Sequence, residues 1–594
     1  MKFPYGISDF REIIINNYFY CDRTHLIPYL EKGKYLLFIR PRRFGKSLLI
    51  STLFNYYDLA SADQFETMFG NLEIGKKPTA LHNKYFVLQL DFSCVDPSGS
   101  VGDIKKALHN HINSRIEGFK KYYHAYDIQD IKIDPDDSIS SIDSLVSSIR
   151  TKGHPIYLLI DEYDNFANEI MMGARYDKKR QYEALVFEEG PLRTLFKAIK
   201  ASTSHSMFDR ILITGVSPVV MSDITSGYNI AENLYLYPRL NALCGFTHDE
   251  ILNGLETVRE NSNLNSKDLE QAAKQMLTWY NGYKFAPEAD ELVYNPTMVL
   301  YFLKAYAEFC TYPRKMTDSN LSTDQSKLEY ISNIPGGGQL LLDLAQDDYQ
   351  VKISDLEDRF GMRDMLRDQS KDYTFMVSLL YYFGILSIQG RTRMGKLALK
   401  VPNLVIRKLY VEQISELLLP NPRERDHGRG VAEKLFQEGD IAPLCEFIEH
   451  NYFRVFKNAD YRWANELTVK TAFLTLLYED SLYVMDSEPE LKRRRADLTM
   501  IIRPDMRKYT ILDILIEFKF VSLKQAGISA EQARDLKAEE LEALPPVTKS
   551  MVEAKKQVRE YTEVLNKRHA DLRLHKFAVV ALGFERLCWV EVED

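Results

Sequence analysis

Cysteine is scarce in this chain. The six in 594 residues, Cys21, Cys94, Cys244, Cys310, Cys445 and Cys588, stand far apart and form no CxxC pair. That spacing supports neither a disulfide framework nor a cysteine-ligated zinc site, and it fits a reducing compartment. The twelve histidines make no HxxxH or HExxH, so a zinc hydrolase has no support. Long apolar runs are missing too. YLLFI (35–39) and IYLLI (156–160) are strand-sized, against the roughly 20 residues a membrane span needs. The opening MKFPYGISDF has no basic-then-apolar leader layout. A cytoplasmic protein with no membrane partner is the expectation. With a formal net charge of -8 the chain is not basic throughout, which leaves room for a local basic groove. There are no repeats at solenoid periods and no long low-complexity tract.

What is present points to an α/β chain of two to four domains. Residues 1–250 alternate short apolar runs with helical patterns, and strands are expected at 35–39, 85–91, 156–160 and 211–214. The polar, acidic stretch 117–145 reads as an irregular insertion with a helix behind it. From 251 to 420 the helical period dominates, ending in a helix (YTFMVSLLYYFGILSI) that feeds a small hairpin, a winged-helix-like arrangement. LPNPRERDHGRG (419–430) reads as a linker. Residues 431–594 follow in the order α-β-β-α-β, a third domain. NIPGGGQL (333–340) has no lysine after it and no strand before it, so it reads as a turn.

Two stretches carry chemistry. In YLLFIRPRRFGKSLLISTLFNYYD (35–58), a strand, a loop over 40–45, Lys46, Ser47 and a helix fall in the order of a phosphate-binding loop. Such loops work because backbone N–H groups and a helix N-terminus converge on phosphate oxygens, while the lysine adds charge and the serine reaches magnesium. Arg40 stands where the first glycine belongs. Downstream, HPIYLLIDEYDNF places Asp161 and Glu162 directly after a strand. That position suits one carboxylate on magnesium and a second that polarises water. The other stretch is KYTILDILIEFKF (508–520). On a strand, Leu512, Ile514, Ile516, Phe518 and Phe520 share one face, and Asp513, Glu517 and Lys519 share the other. A carboxylate and a lysine two apart can hold a metal and a water together.

The segments GISDFREII, YFYCDRT, RPRRFGKS, LLIDEYDNF, ITGVSP, CGFTHDEI, WYNGYKF and YNPTMVL together resemble the bacterial AAA-ATPase-like family. The resemblance covers nearly all of 1–305. It implies a P-loop NTPase domain that hydrolyses ATP with Mg2+. Lys46 then lies on phosphate with Arg42, Arg43, Phe44 and Gly45 around it, Ser47 and Asp161 hold magnesium, and Glu162 activates water. Thr214 or Ser217 becomes a polar sensor, and Asp22 and Thr24 frame the pocket. Arg40, Arg42 and Arg43 are open between phosphate contact, action on a neighbouring subunit, and pairing with Asp161 and Glu162. A homo-oligomer is expected.

Residues 431–594 resemble the PD-(D/E)XK nucleases. That resemblance puts magnesium on Asp497 and Glu517, the attacking water on Lys519, and an extra acidic ligand at Glu466. Gln557 and Tyr561 match that family's Q-x-x-x-Y helix, and Arg493, Arg494 and Arg495 are placed to grip a phosphate backbone. The implied activity is an ATP-controlled, Mg-dependent nuclease acting on DNA in preference to RNA, in defence or mobile-element biology. The competing reading is an ATP-driven switch whose nuclease-like domain holds nucleic acid or a partner without cutting.

Overall fold

Five parallel strands form the centre of the amino-terminal region: β1 (Tyr35–Ile39), β2 (Phe86–Asp91), β3 (Ile156–Asp161), β4 (Phe208–Gly215) and the short β5 (Glu232–Asn233). The structure is a computed structural model that describes residues 2–96, 100–128, 130–165, 191–203, 208–218, 221, 230–318, 325–345, 349–357, 372–458, 466–485, 497–569 and 571–593. Strand order is β2-β3-β4-β1-β5. β4 therefore lies between the strand that ends in the loop at 40–45 and the strand that ends at Asp161. Parallel pairing forces helical crossovers, so β1 to β4 are covered on both faces and read as near-continuous apolar runs. Among the described residues no helix is long and apolar enough to cross a membrane.

The chain divides into two compact units. One comprises 1–310, 322–336 and 350–403; the other comprises 311–321, 337–349 and 404–594. This differs from the divisions at 250 and 420 expected from the sequence. The helix-and-hairpin arrangement belongs to the first unit. There α1 (Tyr373–Tyr382) leads to the three-stranded antiparallel sheet of β6 (Val351–Ile353), β8 (Leu397–Lys400) and β7 (Ser387–Arg391).

The segment read as a linker is helical. In α2 (Pro422–Glu438), the Asn421 side chain accepts from the Arg423 amide and Pro422 occupies the first turn, where a missing N–H costs nothing. Gly428 is there for close approach, since a Cβ would lie 2.5 Å from Leu476. The acidic stretch 117–145 is also more regular than expected. One helix, Val101–Tyr122, runs into it and another, Ser138–Ile149, starts inside it on an Asp137 cap.

In the second unit a mixed sheet has the order β13-β12-β11-β10-β9. Its strands are β9 (Tyr483–Met485), β10 (Leu498–Ile502), β11 (Asp513–Val521), β12 (Leu574–Leu582) and β13 (Arg586–Glu591). β11 and β12 are parallel and joined across the helix α3 (Pro545–Arg568). Ile514, Ile516 and Phe518 pack into one core, and Leu515 and Val521 into another with α3 residues such as Val558. The face of β11 bearing Glu517 is thus covered, contrary to the simple alternation of apolar and polar faces. Each fully buried Leu, Ile or Phe contributes about 1.5–3 kcal/mol, and this strand has them on both sides. Two early segments of the chain belong to the same unit. Buried Arg503 donates to the carbonyls of Pro313 (2.8 Å) and Arg314 (3.1 Å), and Lys408 donates to Thr317 Oγ1 (3.0 Å).

Candidate functional site

β1 delivers the chain into the loop Arg40–Gly45, and a twelve-residue helix, Lys46–Tyr57, begins directly after it. Gly45 has φ +91°, a conformation that a side chain would strain. Lys46 is buried, and its Nζ donates to the carbonyls of Arg40 and Pro41, both at 3.0 Å. Burial lowers the Lys46 pKa, while Asp161, Glu162 and Asp164 work to raise it. Ser47 Oγ donates to Asp161 Oδ2 at 2.6 Å, and Thr214 Oγ1 donates to Asp161 Oδ1. One carboxylate at the end of β3 therefore gathers a hydroxyl from the loop helix and another from the intervening strand.

Glu162 has φ +50°, a strained position for a residue with a side chain. Its carboxyl is pushed up by burial, against the opposing pull of Lys46 and Arg42. Arg42 donates to Asn165 Oδ1 at 3.1 Å. Of the two sensor candidates, Thr214 sits on Asp161. Ser217 is instead held on Asp164 through its amide (2.7 Å) and hydroxyl (2.9 Å). Arg40 does not approach Asp161 or Glu162; its guanidinium is buried on main-chain carbonyls.

A cavity of about 310 Å³ opens beside the loop, within the size range of small-molecule sites. Arg43, Phe44, Gly45, Lys46, Ser47 and Glu162 line it, as do residues of 4–8, 19–24, 243–246 and 296–300. Arg23 ties two of these segments together, pairing with Glu250 and donating to the carbonyls of Ala242 (2.6 Å) and Gly245 (3.0 Å). Thr24 lines the cavity. Asp22 is occupied elsewhere, accepting from Thr24 and from the Glu73 amide. The lining at 243–246 was not expected, although CGFTHDEI contains 244–246.

In the second unit, β10 and β11 bring Asp497 and Glu517 together. Asp497 Oδ2 accepts from the Phe518 amide at 2.9 Å, and its own amide points at Glu517 Oε2 at 3.4 Å. Lys519 Nζ donates to Glu517 Oε1 and to the Phe518 carbonyl, both at 2.9 Å. Burial, and then Asp497, push the Glu517 carboxyl up to about 7, against the pull of Lys519. That crowding of negative charge is what a bound cation would relieve.

Lys470, which sequence reasoning missed, lies with its Nζ 3.7 Å from Asp497 Oδ1. Glu466 opens the same helix, Glu466–Leu477; burial raises its carboxyl, with Lys519 lowering it and Asp497 raising it. Among the described residues no three acidic, histidine or cysteine side chains converge as a cation cage. Asp513 serves the fold, accepting from Arg507 and from the amides of Ile502 and Arg573. Gln557 Oε1 is buried without a partner among the described residues, and Tyr561 is in the α3-side core. Arg493, Arg494 and Arg495 lie outside the described residues.

Residues 4–225 match the family model described as "Predicted AAA-ATPase", so the amino-terminal part is similar to that family. An uncharacterized protein from the vnfD 5' region of Azotobacter chroococcum mcd 1 is 24% identical over 558 residues, covering 90% of this chain and 92% of that one. The Aeropyrum pernix ORC1 protein, solved in complex with DNA, aligns with 70% of this chain and 94% of its own at 12% identity. Its TM-score of 0.25 is too low to carry an argument.

Proposed function

We propose that the AAA-ATPase-like domain binds and hydrolyses ATP with Mg2+, and that this cycle controls Mg-dependent DNA cleavage by the carboxyl-terminal unit. The observation that carries the first part is the Asp161 carboxylate, which gathers Ser47 and Thr214 while the Lys46 ammonium donates to two neutral carbonyl oxygens. These residues fit a magnesium nucleotide. Lys46, held by its two loop carbonyls, would turn its third N–H to a phosphate oxygen, Ser47 and Asp161 would hold the cation, and Glu162 would orient the attacking water. A raised carboxyl is the better base for that task. Magnesium, when bound, supplies charge neutralisation at the transferring phosphoryl group. Arg43, which lines the cavity, would add positive charge there, and Arg42 would do so from beside Glu162.

In the second unit Asp497 and Glu517 would hold the cation and Lys519 would orient water toward a DNA phosphodiester. The support is their mutual contact geometry and their resemblance to the PD-(D/E)XK pattern. A second reading is favoured by Lys470 beside Asp497 and by the lack of a three-ligand cage among the described residues: a unit that holds nucleic acid or a partner without cutting it. Purified full-length protein incubated with Mg2+, ATP and a panel of DNA and RNA substrates separates the two. Cleavage by wild type that is absent from Lys519→Ala, with ATP turnover unchanged, supports the nuclease. Binding without any metal-dependent cleavage supports the second reading.

A further inference from the structure

Arg40 breaks the glycine pattern of a phosphate loop, and its surroundings give that departure a purpose. The side chain is 1% exposed and, among the described residues, pairs with no carboxylate. Its Nη1 donates to the carbonyls of Ile39 (2.8 Å) and Tyr235 (3.0 Å), and its Nη2 to the carbonyl of Leu240 (2.9 Å). The guanidinium lies over two rings, 4.5 Å from the centroid of Phe38 and 4.2 Å from that of Phe285. Two aromatic faces and three carbonyls can hold a cation away from water. The Arg40 amide donates to the Gly215 carbonyl at 3.1 Å, where β4 ends. Side chain and amide thus both anchor Arg40 among the peptides of 39–42, with only its Nε buried without a partner among the described residues.

Those peptides supply the two oxygens on which Lys46 rests. They also abut the turn after α1, within the same unit. Pro41 packs so closely on Gly384 that a Cβ there would fall 2.7 Å from the proline ring. Tyr381 donates to the Phe285 carbonyl at 3.0 Å, under the ring that covers Arg40. Phe44, at the other end of the loop, meets Tyr283 and Phe285 edge-on at 4.8 and 5.2 Å.

We infer that Arg40 is a positioning residue for the triphosphate: it sets the two loop carbonyls that hold Lys46 at the β/γ-phosphate end and fixes them to the α1–hairpin unit. This rests on the nucleotide reading above and deepens it. A glycine at 40 would restore the usual loop pattern while removing the brace, so the inference makes a prediction opposite to that of motif matching. Arg40 acts through Lys46, so its loss weakens recognition of the terminal phosphates more than recognition of the rest of the nucleotide.

The test is the ratio of affinities for fluorescent ATP and AMP analogues, measured on the full-length chain. Arg40→Lys keeps the charge but cannot reach three carbonyls in one plane, and Phe285→Leu removes one stacking face while leaving the arginine. Both are expected to lower the ATP-to-AMP affinity ratio by about tenfold or more, with AMP binding within about twofold of wild type. Arg40→Gly is expected to do the same. An unchanged ratio in Arg40→Lys and Phe285→Leu overturns the inference, as does an Arg40→Gly chain that prefers ATP as strongly as wild type. Equal losses of ATP and AMP affinity reduce Arg40 to a purely structural role and also overturn it. A wild-type chain with no preference for ATP overturns the nucleotide reading and this inference with it.

Discussion

The two candidate sites use lysine in opposite ways. At the amino-terminal loop, Lys46 rests on two uncharged carbonyls while the nearby carboxylate of Asp161 is engaged by hydroxyls. In the carboxyl-terminal cluster, Lys519 and Lys470 lie against Glu517 and Asp497 themselves. An ammonium on neutral oxygens gives up little when an anion arrives. An ammonium on a carboxylate competes with any cation that needs the same oxygens. The first site is arranged to receive negative charge, whereas the second has already neutralised part of its own.

Asp161→Asn strikes the comparison hardest. ATP turnover is expected to fall by about a hundredfold to a thousandfold in a steady-state phosphate-release assay, because the gathering point for Ser47 and Thr214 loses its charge. Lys46→Ala is expected to weaken binding of a fluorescent ATP analogue by about a hundredfold; Lys519→Ala leaves that binding unchanged, and a loss there would mean the sites are not independent. Lys470→Met removes an internal competitor from Asp497, so calorimetric Ca2+ affinity of the full chain should rise by roughly tenfold. A fall would instead make Lys470 a support for Asp497.

The smallest effects are pH slopes of opposite sign. Glu517 has an ordinary value of 4.5 and a folded value near 7. Its stabilising effect is complete below pH 4.5 and lost as pH rises through 7, so Glu517→Gln should flatten that decline in denaturant titrations.

His109 behaves in the reverse sense. Its Nδ1 accepts from the Ser138 amide at 3.0 Å. Burial and then Lys105 hold it below its ordinary 6.5, only partly offset by Asp137, Asp136 and Asp134. Its contribution is present above pH 6.5 and lost as pH falls. His109→Gln should remove a small loss of stability between pH 7 and pH 5 in the same titrations.

How much of this was legible depended on distance along the chain. The loop and its aspartate each announce themselves in a local strand-plus-polar pattern, so Lys46, Ser47 and Asp161 could be named from sequence. Asp497 and Glu517 could be paired because strand alternation and a short connection constrain them. Arg40 could not be assigned, since its acceptors Tyr235 and Leu240 and its stacking partner Phe285 are some two hundred residues away. Lys470 looked like any helical lysine until tertiary packing set it beside Asp497. The stretch at 419–430 misled because Asn-Pro opens helices as readily as it opens turns, and Gly428 within it marks a tight contact.

Arg503 has a practical consequence for anyone dissecting this protein. Two of its acceptors, Pro313 and Arg314, come from a stretch almost two hundred residues earlier that returns to the first unit before the chain comes back. A gene truncated to begin near codon 425 would take two carbonyl acceptors from the buried Arg503, leaving it Asp505 and Asp480, and strip Lys408 from the product altogether. No single scission of this polypeptide yields two whole halves.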